Sequence, residues 1–360
     1  MSPGVRILLT IVGVVGVASL CAGRPAYGQE LSGVVLSSLP EPVTKNAVAT
    51  VTVGPRQFVV SFNGLGAGKT YRDTRSSTYV LDVELGTWEE AAPVPGDVGR
   101  LASAAVAVGE RAFVFGGYTV AEDGTEVSTP WVHAFDPIEG TYEARAPMPV
   151  PVDDMVAVVY QDRYVYLLSG WHDVGNVNLV QLYDTDEDRW VQATPIPGAA
   201  VFGHAGGIVG GSIVYCDGVA VRANAMRRRD FVAQAACFAG TIDPSDRRRI
   251  DWRTIDPHPG PPRYRMAASG VADRNGVLFV GGTDNPYNYD GIGYDGRPAT
   301  PVAGGMLLDL ETLSWRVLPQ DTAPTMDHRA LVPLAGGWAT VGGMRGDRTV
   351  SADVVAFTIR

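Results

Sequence analysis

The sequence predicts an all-β protein, a six-bladed β-propeller, and three observations lead to this prediction. The first is a unit of about fifty residues that recurs along the chain, a period typical of propeller blades. Its clearest copy covers residues 100–149 of the 360-residue chain. Two apolar runs, the second ending at Gly116-Gly117, precede a long loop, a strand closing on Asp136, and an aromatic residue, Tyr142.

The second observation is that the markers of this unit repeat. Six residue pairs end a predicted second strand: Asn63-Gly64, Gly116-Gly117, Ser169-Gly170, Asp217-Gly218, Gly281-Gly282 and Gly342-Gly343. Five aromatic residues open a predicted fourth strand: Trp88, Tyr142, Trp190, Trp252 and Trp315. Six copies of one marker and five of the other indicate six blades, of which one lacks its own fourth strand.

The third observation explains this mismatch. The chain ends just after a predicted third strand, residues 352–359, while residues 31–39 form a spare strand followed by Pro40. We expect this N-terminal strand to complete the last blade and close the ring. Glycine at 43 and proline at 25 residues suit many short strands and turns.

The predicted organisation is a leader followed by one propeller. Residues 1–28 resemble a secretory signal peptide, with basic Arg6, an apolar run over 7–20 and a small-x-small cleavage site at Ala26-Tyr27-Gly28. Residues 29–360 are predicted to form a single six-bladed domain. Its approximate blade boundaries are 43–96, 97–150, 151–198, 199–260, 261–323, and 324–360 plus 31–40.

Charge and cysteine content set the expected environment. Removing the leader, which has two arginines and no acidic residue, takes the net charge from −10 to −12. Such a charge disfavours nucleic acid, and the mature chain has no predicted membrane span. We expect a periplasmic or secreted protein. Cys216 and Cys237 lie on neighbouring predicted strands, where they form either a disulfide or two buried thiols.

The sequence lacks conventional catalytic and cofactor motifs. It has no G-x-S-x-G elbow, and its five histidines never pair at metal-ligand spacing. The segment from Asn63 to Thr70 approaches a phosphate-binding loop, but its first glycine is replaced and a strand, not a helix, is predicted to follow directly. We therefore expect no cofactor and no metal.

Strand direction predicts where a ligand would bind. The loops between second and third strands are long in most blades and share one face of the disc, whereas the turns between third and fourth strands are short and lie opposite. Polar residues that open the first strands should line a funnel at the centre of the loop face: Asn46, Arg100, Asp153, Asp154, His204, Arg265, His328 and Arg329. Each of them alone is explained as well by a salt bridge between blades.

As a set, these residues favour a binding site. Arginine holds a carboxylate through two hydrogen bonds, so Arg100, Arg265 and Arg329 suit an acidic ligand, with Asp153 and His204 beside them. Aromatic residues on the loops could stack on sugar rings or pack the loops themselves: Tyr118, Trp171, Tyr287, Tyr289 and Tyr294.

The glycine pairs, downstream aromatics and sixfold count resemble the kelch repeat over residues 31–360. Among kelch proteins the chain resembles the periplasmic sialic-acid mutarotases, through Gly203-His204-Ala205-Gly206, Asp217-Gly218 and the tyrosine-rich loop after Gly282. That resemblance implies acid/base exchange of sugar anomers by a glutamate just after the glycine of the fourth blade and a nearby arginine. Here that position is Val219, and Arg222 or Arg227 is the approximate arginine.

The resulting hypothesis is an exported propeller that binds an acidic sugar in the funnel, with mutarotase-like activity if it is an enzyme. Its expected ligand-binding residues are Arg100, Asp153, His204, Arg222, Arg265 and Arg329. The alternatives are a protein-interaction scaffold that uses the long loops, and a lyase or isomerase with Tyr264, His204 or His328 as base.

Overall fold

The computed structural model describes Met1 and residues 29–360, so the predicted signal peptide lies outside the described residues. Six four-stranded antiparallel sheets follow one another as blades. The first three consist of Ala47–Val53, Arg56–Leu65, Thr74–Asp82 and Thr87–Ala91; Ala104–Val108, Arg111–Phe115, Val132–Asp136 and Thr141–Arg145; Val156–Tyr160, Tyr164–Leu168, Val180–Asp184 and Arg189–Ala193. The prediction of an all-β six-bladed propeller is confirmed.

Blades 4 and 5 have the same construction, and blade 6 is assembled from both ends of the chain. Their strands are Ala205–Val209, Ser212–Cys216, Cys237–Ile242 and Ile250–Ile255; Ala267–Val271, Gly276–Val280, Gly305–Asp309 and Trp315–Leu318; Val332–Leu334, Gly337–Val341, Val354–Ile359 and Leu31–Val35. The N-terminal strand is antiparallel to the last one, with Leu31 opposite Ile359. The predicted ring closure is confirmed, although this strand ends at Val35 and not at residue 39.

Three hairpins and two short helical turns extend the blades. The hairpins are Tyr118–Val120 with Glu126–Ser128, Trp171–His172 with Gly175–Asn176, and Val219–Asn224 with Arg228–Ala233. The 3₁₀ turns are Tyr71–Asp73 and Ala272–Arg274. A single helical turn therefore follows Lys69, where the sequence had predicted a strand directly; Lys69 Nζ donates to the Arg348 carbonyl at 2.8 Å.

The repeated glycine pairs have a backbone cause. Both positions of all six pairs have positive φ, a region that residues with a Cβ adopt at a cost. At the second position a close approach adds to this: a Cβ on Gly117 would lie 2.2 Å from Ser103 Oγ and 2.8 Å from the Leu101 carbonyl oxygen. The first position accepts Asn63, Ser169 and Asp217, whereas the second is glycine in every blade.

The aromatic residues of the fourth strands join neighbouring blades. The indole nitrogens of Trp190 and Trp315 donate to the carbonyl oxygens of Ala146 and Asp256, which follow the fourth strand of the preceding blade, at 2.9 Å each. Trp88 makes the same 2.9 Å bond to Ser37, just after the closing strand. These tryptophans thus tie blades 1, 3 and 5 to the blade before each, and the bond of Trp88 joins the two blades that close the ring.

Apolar clusters fill the interfaces between blades; one packs Tyr166 of blade 3 against Ile213 and Tyr215 of blade 4. The six first strands surround the central axis, where small residues line a narrow tunnel. The three hairpins and the blade-5 loop, residues 283–303, share one face, as strand direction predicts. Within residues 29–360, no helix is long and apolar enough to cross a membrane.

Candidate functional site

Six equivalent residues, one per blade, form a ring around the axis at the loop face. Each comes shortly before a first strand and has positive φ: Lys45, Ala102, Asp154, Gly203, Arg265 and Asp327. From Ala102 to Arg265, each backbone N–H donates to the carbonyl of the ring member in the preceding blade, at 2.8–3.0 Å. This backbone ring directs the side chains of its charged members towards the centre of the funnel.

Four charged side chains, three from this ring together with Arg329, form a buried layer at the funnel base. Arg265 contacts Asp154 at 2.6 Å and Asp327 at 3.1 Å, and its side chain is 2% exposed. Arg329 contacts the same two carboxylates at 2.8 and 2.9 Å. Two arginines and two aspartates therefore neutralise each other, and we call them the base layer.

The base layer shifts the pKa values of the groups within it. Burial alone would raise the pKa of Asp154, but the charges of Arg265, Arg329 and Lys45 outweigh it and lower that pKa below its usual value. The same balance lowers the pKa of Asp327. Burial, assisted by the charge of Arg265, lowers the pKa of Lys45 to about 7. Lys45 Nζ lies 3.1 Å from the Tyr118 hydroxyl.

A cavity of about 320 Å³ opens above the base layer. Loops of blades 2 to 5 enclose it, and its lining combines aromatic rings, carboxyl groups, two arginines and one amide. The lining residues are Tyr118, Gly124, Glu126, Asp153, Asp154, Trp171, Asp173, Phe202, Arg229, Phe231, Arg265, Asn288 and Tyr294. We call this cavity the funnel pocket; its size falls in the range of about 300–1,000 Å³ that is typical of ligand sites.

Asp153 is the most deeply buried carboxyl group of the pocket wall. It is 3% exposed, and its Oδ2 accepts a 2.8 Å hydrogen bond from Ser128 Oγ. Burial, and the charge of neighbouring Asp154, raise the pKa of Asp153 well above its usual value. Two adjacent aspartates therefore have opposite pKa shifts, because the arginines pair with Asp154 and not with Asp153.

An aromatic wall faces these carboxyl groups. The rings of Trp171 and Phe231 have centroids 6.0 Å apart, and Phe231 stacks on Tyr294 of the blade-5 loop at 3.8 Å. The guanidinium carbon of Arg229 lies 4.9 Å from the Trp171 ring centroid and 5.4 Å from that of Phe231. The wall thus combines flat apolar faces with a cation already stacked on them.

The blade-5 loop crosses the mouth of the funnel. Asn288 Nδ2 donates to Glu126 Oε1 at 2.8 Å, and the Tyr289 hydroxyl bonds the same oxygen. Glu126 belongs to the hairpin of blade 2, which is opposite blade 5 in the ring. Stacking of Tyr294 on Phe231 holds the loop to the blade-4 hairpin. The loop therefore acts as a strap that spans the axis and roofs the pocket.

The structure separates the expected ligand-binding residues into two groups. Asp153 and Arg265 line the pocket, and Arg329 belongs to the base layer beneath it. Arg100, His204 and Arg222 are not among the residues that line it. Arg100 is one of the largest fully buried side chains and donates to the Gly116 carbonyl at 2.9 Å.

His204 and Arg222 point elsewhere for different reasons. His204 packs edge-on against Tyr215, and burial lowers its pKa to about 4. Arg222 is exposed on the blade-4 hairpin, opposite Asp230. Sequence reasoning also missed Lys45, Asp327 and Arg229. Lys45 and Asp327 occupy the ring position, which comes two residues before the first strand in blades 1 to 5 and five residues before it in blade 6.

The fourth blade does not supply another proton carrier at the expected place. Val219 is fully buried and bridges the backbone of Phe202. Asp217 accepts from the His258 imidazole at 2.7 Å and from the Arg263 backbone N–H at 2.7 Å, outside the pocket. Asp230 pairs with Arg227 at 2.8 Å. Cys216 and Cys237, directly opposite each other on adjacent strands, are joined by a disulfide.

In the part of the chain that the structure describes, no group of three or more histidine, cysteine, aspartate or glutamate side chains could hold a metal ion. The carboxyl group of Asp184, for example, forms an ion pair with Arg163 at 2.7 Å and accepts a hydrogen bond from the backbone of its own turn.

Comparisons with known proteins agree with this architecture. The kelch motif model matches residues 99–149, the blade with the clearest repeat. A solved structure described as "Structure of YjhT" superposes with a TM-score of 0.71 at 15% identity, covering 90% of this chain and 99% of that one. The chain is thus a six-bladed β-propeller with a kelch motif in its second blade.

Curated relatives share the motif over part of their length. Kelch domain-containing protein 3 is 28% identical over 199 residues in Rattus norvegicus and 29% over 198 residues in Homo sapiens, covering 51% of this chain and 48% of each relative. Kelch-like protein 15 of Gallus gallus is 30% identical over 107 residues, 30% of this chain and 22% of that protein. The chain therefore spans about half the length, or less, of the curated relatives it matches.

Proposed function

We propose that the protein binds a carbohydrate in the funnel pocket. The observation that carries this proposal is the combination of an aromatic wall with convergent hydrogen-bonding groups in one cavity. Trp171 and Phe231 offer flat faces on which the C–H face of a pyranose packs. Asp153, Asp173 and Asn288 offer carboxyl and amide groups to the hydroxyls at the ring edge.

The charge of the pocket narrows the sugar class. An acidic sugar was expected because three arginines seemed free to bind a carboxylate. Arg265 and Arg329 are instead neutralised by Asp154 and Asp327, and Arg100 lies outside the pocket. A neutral or basic sugar fits the remaining groups better than an acidic one.

The test is a binding survey with neutral, amine-bearing and acidic monosaccharides, by ligand line broadening in NMR and by calorimetry. We expect binding of neutral or basic members, and about tenfold or greater weakening in a Trp171→Ala variant, because stacked rings dominate such contacts. Tyr164→Ala is the matched control, since Tyr164 lies on the second strand of blade 3 next to Arg163, away from the pocket. Absence of binding by every sugar would refute the proposal.

A mutarotase-like activity is a second candidate, and Asp153 is the observation that favours it. Burial raises its pKa, which favours the neutral carboxylic acid, with one O–H donor and one acceptor oxygen, in the pocket. Anomer exchange requires a proton to reach the ring oxygen while another leaves the anomeric hydroxyl. Proton NMR of anomer exchange would detect this, and Asp153→Asn should abolish any acceleration.

The scaffold alternative is favoured by the tips of the hairpins. Met226 is 92% exposed and Val174 is 69% exposed, both on the loop face. A protein partner that docks there would be lost on replacing both with serine, while sugar binding would persist. A pull-down and a sugar-binding measurement on this double serine variant separate the two functions.

Export is also proposed. The leader-like residues 1–28 and the cross-strand disulfide support it, since disulfides persist in oxidising compartments. Fractionation of the producing cell, with thiol titration of the purified chain, tests this: a cytoplasmic protein with free Cys216 and Cys237 would contradict it.

A further inference from the structure

The pocket wall carries three carboxyl groups that no arginine or lysine neutralises. Among the ion pairs of residues 29–360, none involves Glu126 or Asp153, and none joins Asp173 to an arginine or a lysine; His172 Nε2 lies 3.9 Å from Asp173 Oδ2. The two pocket arginines are already engaged: Arg265 binds two carboxylates, and Arg229 stacks on the wall and donates to the Val174 carbonyl at 3.0 Å.

Two of these carboxyl groups converge on one serine. Ser128 Oγ donates to Asp153 Oδ2 at 2.8 Å, and the Ser128 backbone N–H donates to Asp173 Oδ1 at 3.1 Å. The Asp173 N–H in turn donates to Ser128 Oγ at 3.2 Å. Ser128 is buried, so the hairpins of blades 2 and 3 hold both carboxyl groups at one point of the wall.

Asp153 has unused hydrogen-bonding capacity at this point. It is 3% exposed, it lines the pocket, and within the described residues its Oδ1 has no hydrogen-bond partner. A carboxyl group that lines a cavity and has an oxygen without a partner can accept a hydrogen bond from a ligand there. A donor with a positive charge satisfies such an oxygen better than a hydroxyl does, because it also compensates the surrounding negative charge.

We propose that the funnel pocket recognises an ammonium group, so that its sugar ligand is an amino sugar whose amine binds between Asp153, Asp173 and Glu126. This inference rests on the proposed carbohydrate function and names the substrate class of the same site. The stacked Arg229 guanidinium shows that the aromatic wall already accommodates a cation. The sugar ring then packs on the wall beside it.

The ammonium group also changes the protonation of the site. Burial raises the pKa of Asp153 in the free protein, so its carboxyl group keeps its proton to a higher pH than an exposed aspartate does. A cation placed against it favours the carboxylate, so amine binding releases this proton to the solvent. A neutral sugar has no such effect, which gives the amine a readout that does not depend on affinity alone.

The test compares D-glucosamine, N-acetyl-D-glucosamine and D-glucuronate, with the corresponding galacto sugars, by calorimetry in two buffers of different ionisation enthalpy. We expect the amine to bind about tenfold more tightly than the acetamide, a difference of about 1.4 kcal/mol. Amine binding should also release protons, while acetamide binding should not.

Two variants keep the test decisive. Asp153→Asn should remove the amine preference and the proton release. Asp173→Asn should reduce the amine preference, and because Asp173 is exposed this second variant does not depend on a buried substitution being tolerated. Asp251→Asn, exposed on the fourth strand of blade 4, is the control that should change neither. Equal binding of amine and acetamide would overturn the ammonium proposal alone. Failure of all six sugars to bind would overturn the carbohydrate proposal with it.

Discussion

Asp153 and Asp154 are neighbours in the sequence, yet they belong to two different parts of the funnel. Asp154 lies in the base layer, where Arg265 and Arg329 bind it and lower its pKa. Asp153 lies in the pocket wall, where only Ser128 bonds to it and burial raises its pKa. The charges of the base layer are paired with each other and can stabilise the ring, whereas the wall carboxyl group has no arginine partner and can bind a ligand.

This contrast assigns stability to one part and recognition to the other. A buried charge that loses its partner is costly, so variants of the base layer should unfold the protein more easily. A wall carboxyl group without a cationic partner is itself unfavourable, so its loss should affect the ligand and not the fold.

The largest effect is expected for Arg265→Met. The variant leaves Asp154 and Asp327 with Arg329 as their single arginine, and breaking a buried pair costs about 3–5 kcal/mol of unfolding free energy. Urea unfolding followed by tryptophan fluorescence measures it. The control is Arg229→Met in the wall, where loss of a partly exposed cation should cost about 0–1 kcal/mol. Equal losses in both variants would mean that base and wall do not differ.

The next effect compares the two adjacent aspartates directly. Asp154→Asn removes a charge that two arginines share, and we expect a loss of about 3 kcal/mol. Asp153→Asn has nearly the same shape and removes a buried group that resists ionisation, so stability should stay constant or rise slightly. Unfolding both variants in urea at neutral pH checks the sign. A substantial loss in Asp153→Asn would contradict the division.

The sequence predicts the parts of this molecule that backbone geometry repeats. The second glycine of each pair recurs because its backbone has positive φ and a Cβ would collide with the first strand, as at Gly117. The fourth-strand tryptophans recur because each binds the preceding blade, and the closing strand is evident because six glycine pairs accompany five fourth-strand aromatics. The face with the long loops follows from strand direction alone.

The pocket residues were harder to predict, because small offsets decide where a side chain points. Arg100 comes two residues before the ring member Ala102 and is directed into its own blade, and His204 comes one residue after Gly203 and packs on Tyr215. Asp154 and Arg265 occupy the ring position and were among the expected residues. The contact of Asn288 with Glu126 joins opposite blades, and no local sequence pattern predicts it.

A smaller effect is expected in the pH dependence of stability that Asp153 causes. Asp153 has a folded pKa above its unfolded value of about 3.9, so its contribution to stability is present at low pH and is lost as pH rises through the folded value. The slope is at most about 1.4 kcal/mol per pH unit for one proton. The melting temperature of Asp153→Asn, relative to the unmodified protein, should therefore increase with pH above 4 or so. A flat difference, like that expected for Asp251→Asn, would show that Asp153 titrates normally.

The smallest effect concerns the strap, the blade-5 loop that is hydrogen-bonded to Glu126 in the pocket wall. Glu126→Gln keeps the shape of the side chain but removes the charge that accepts hydrogen bonds from Asn288 and Tyr289. Loss of such bonds costs about 0.5–1.5 kcal/mol each, and the substitution leaves the ion pairs of the base layer in place. Hydrogen exchange of residues 283–303 should therefore accelerate several-fold, while the urea midpoint changes little. If the whole propeller exchanged faster instead, the strap would stabilise the fold as the base layer does, and the wall would not be devoted to recognition alone.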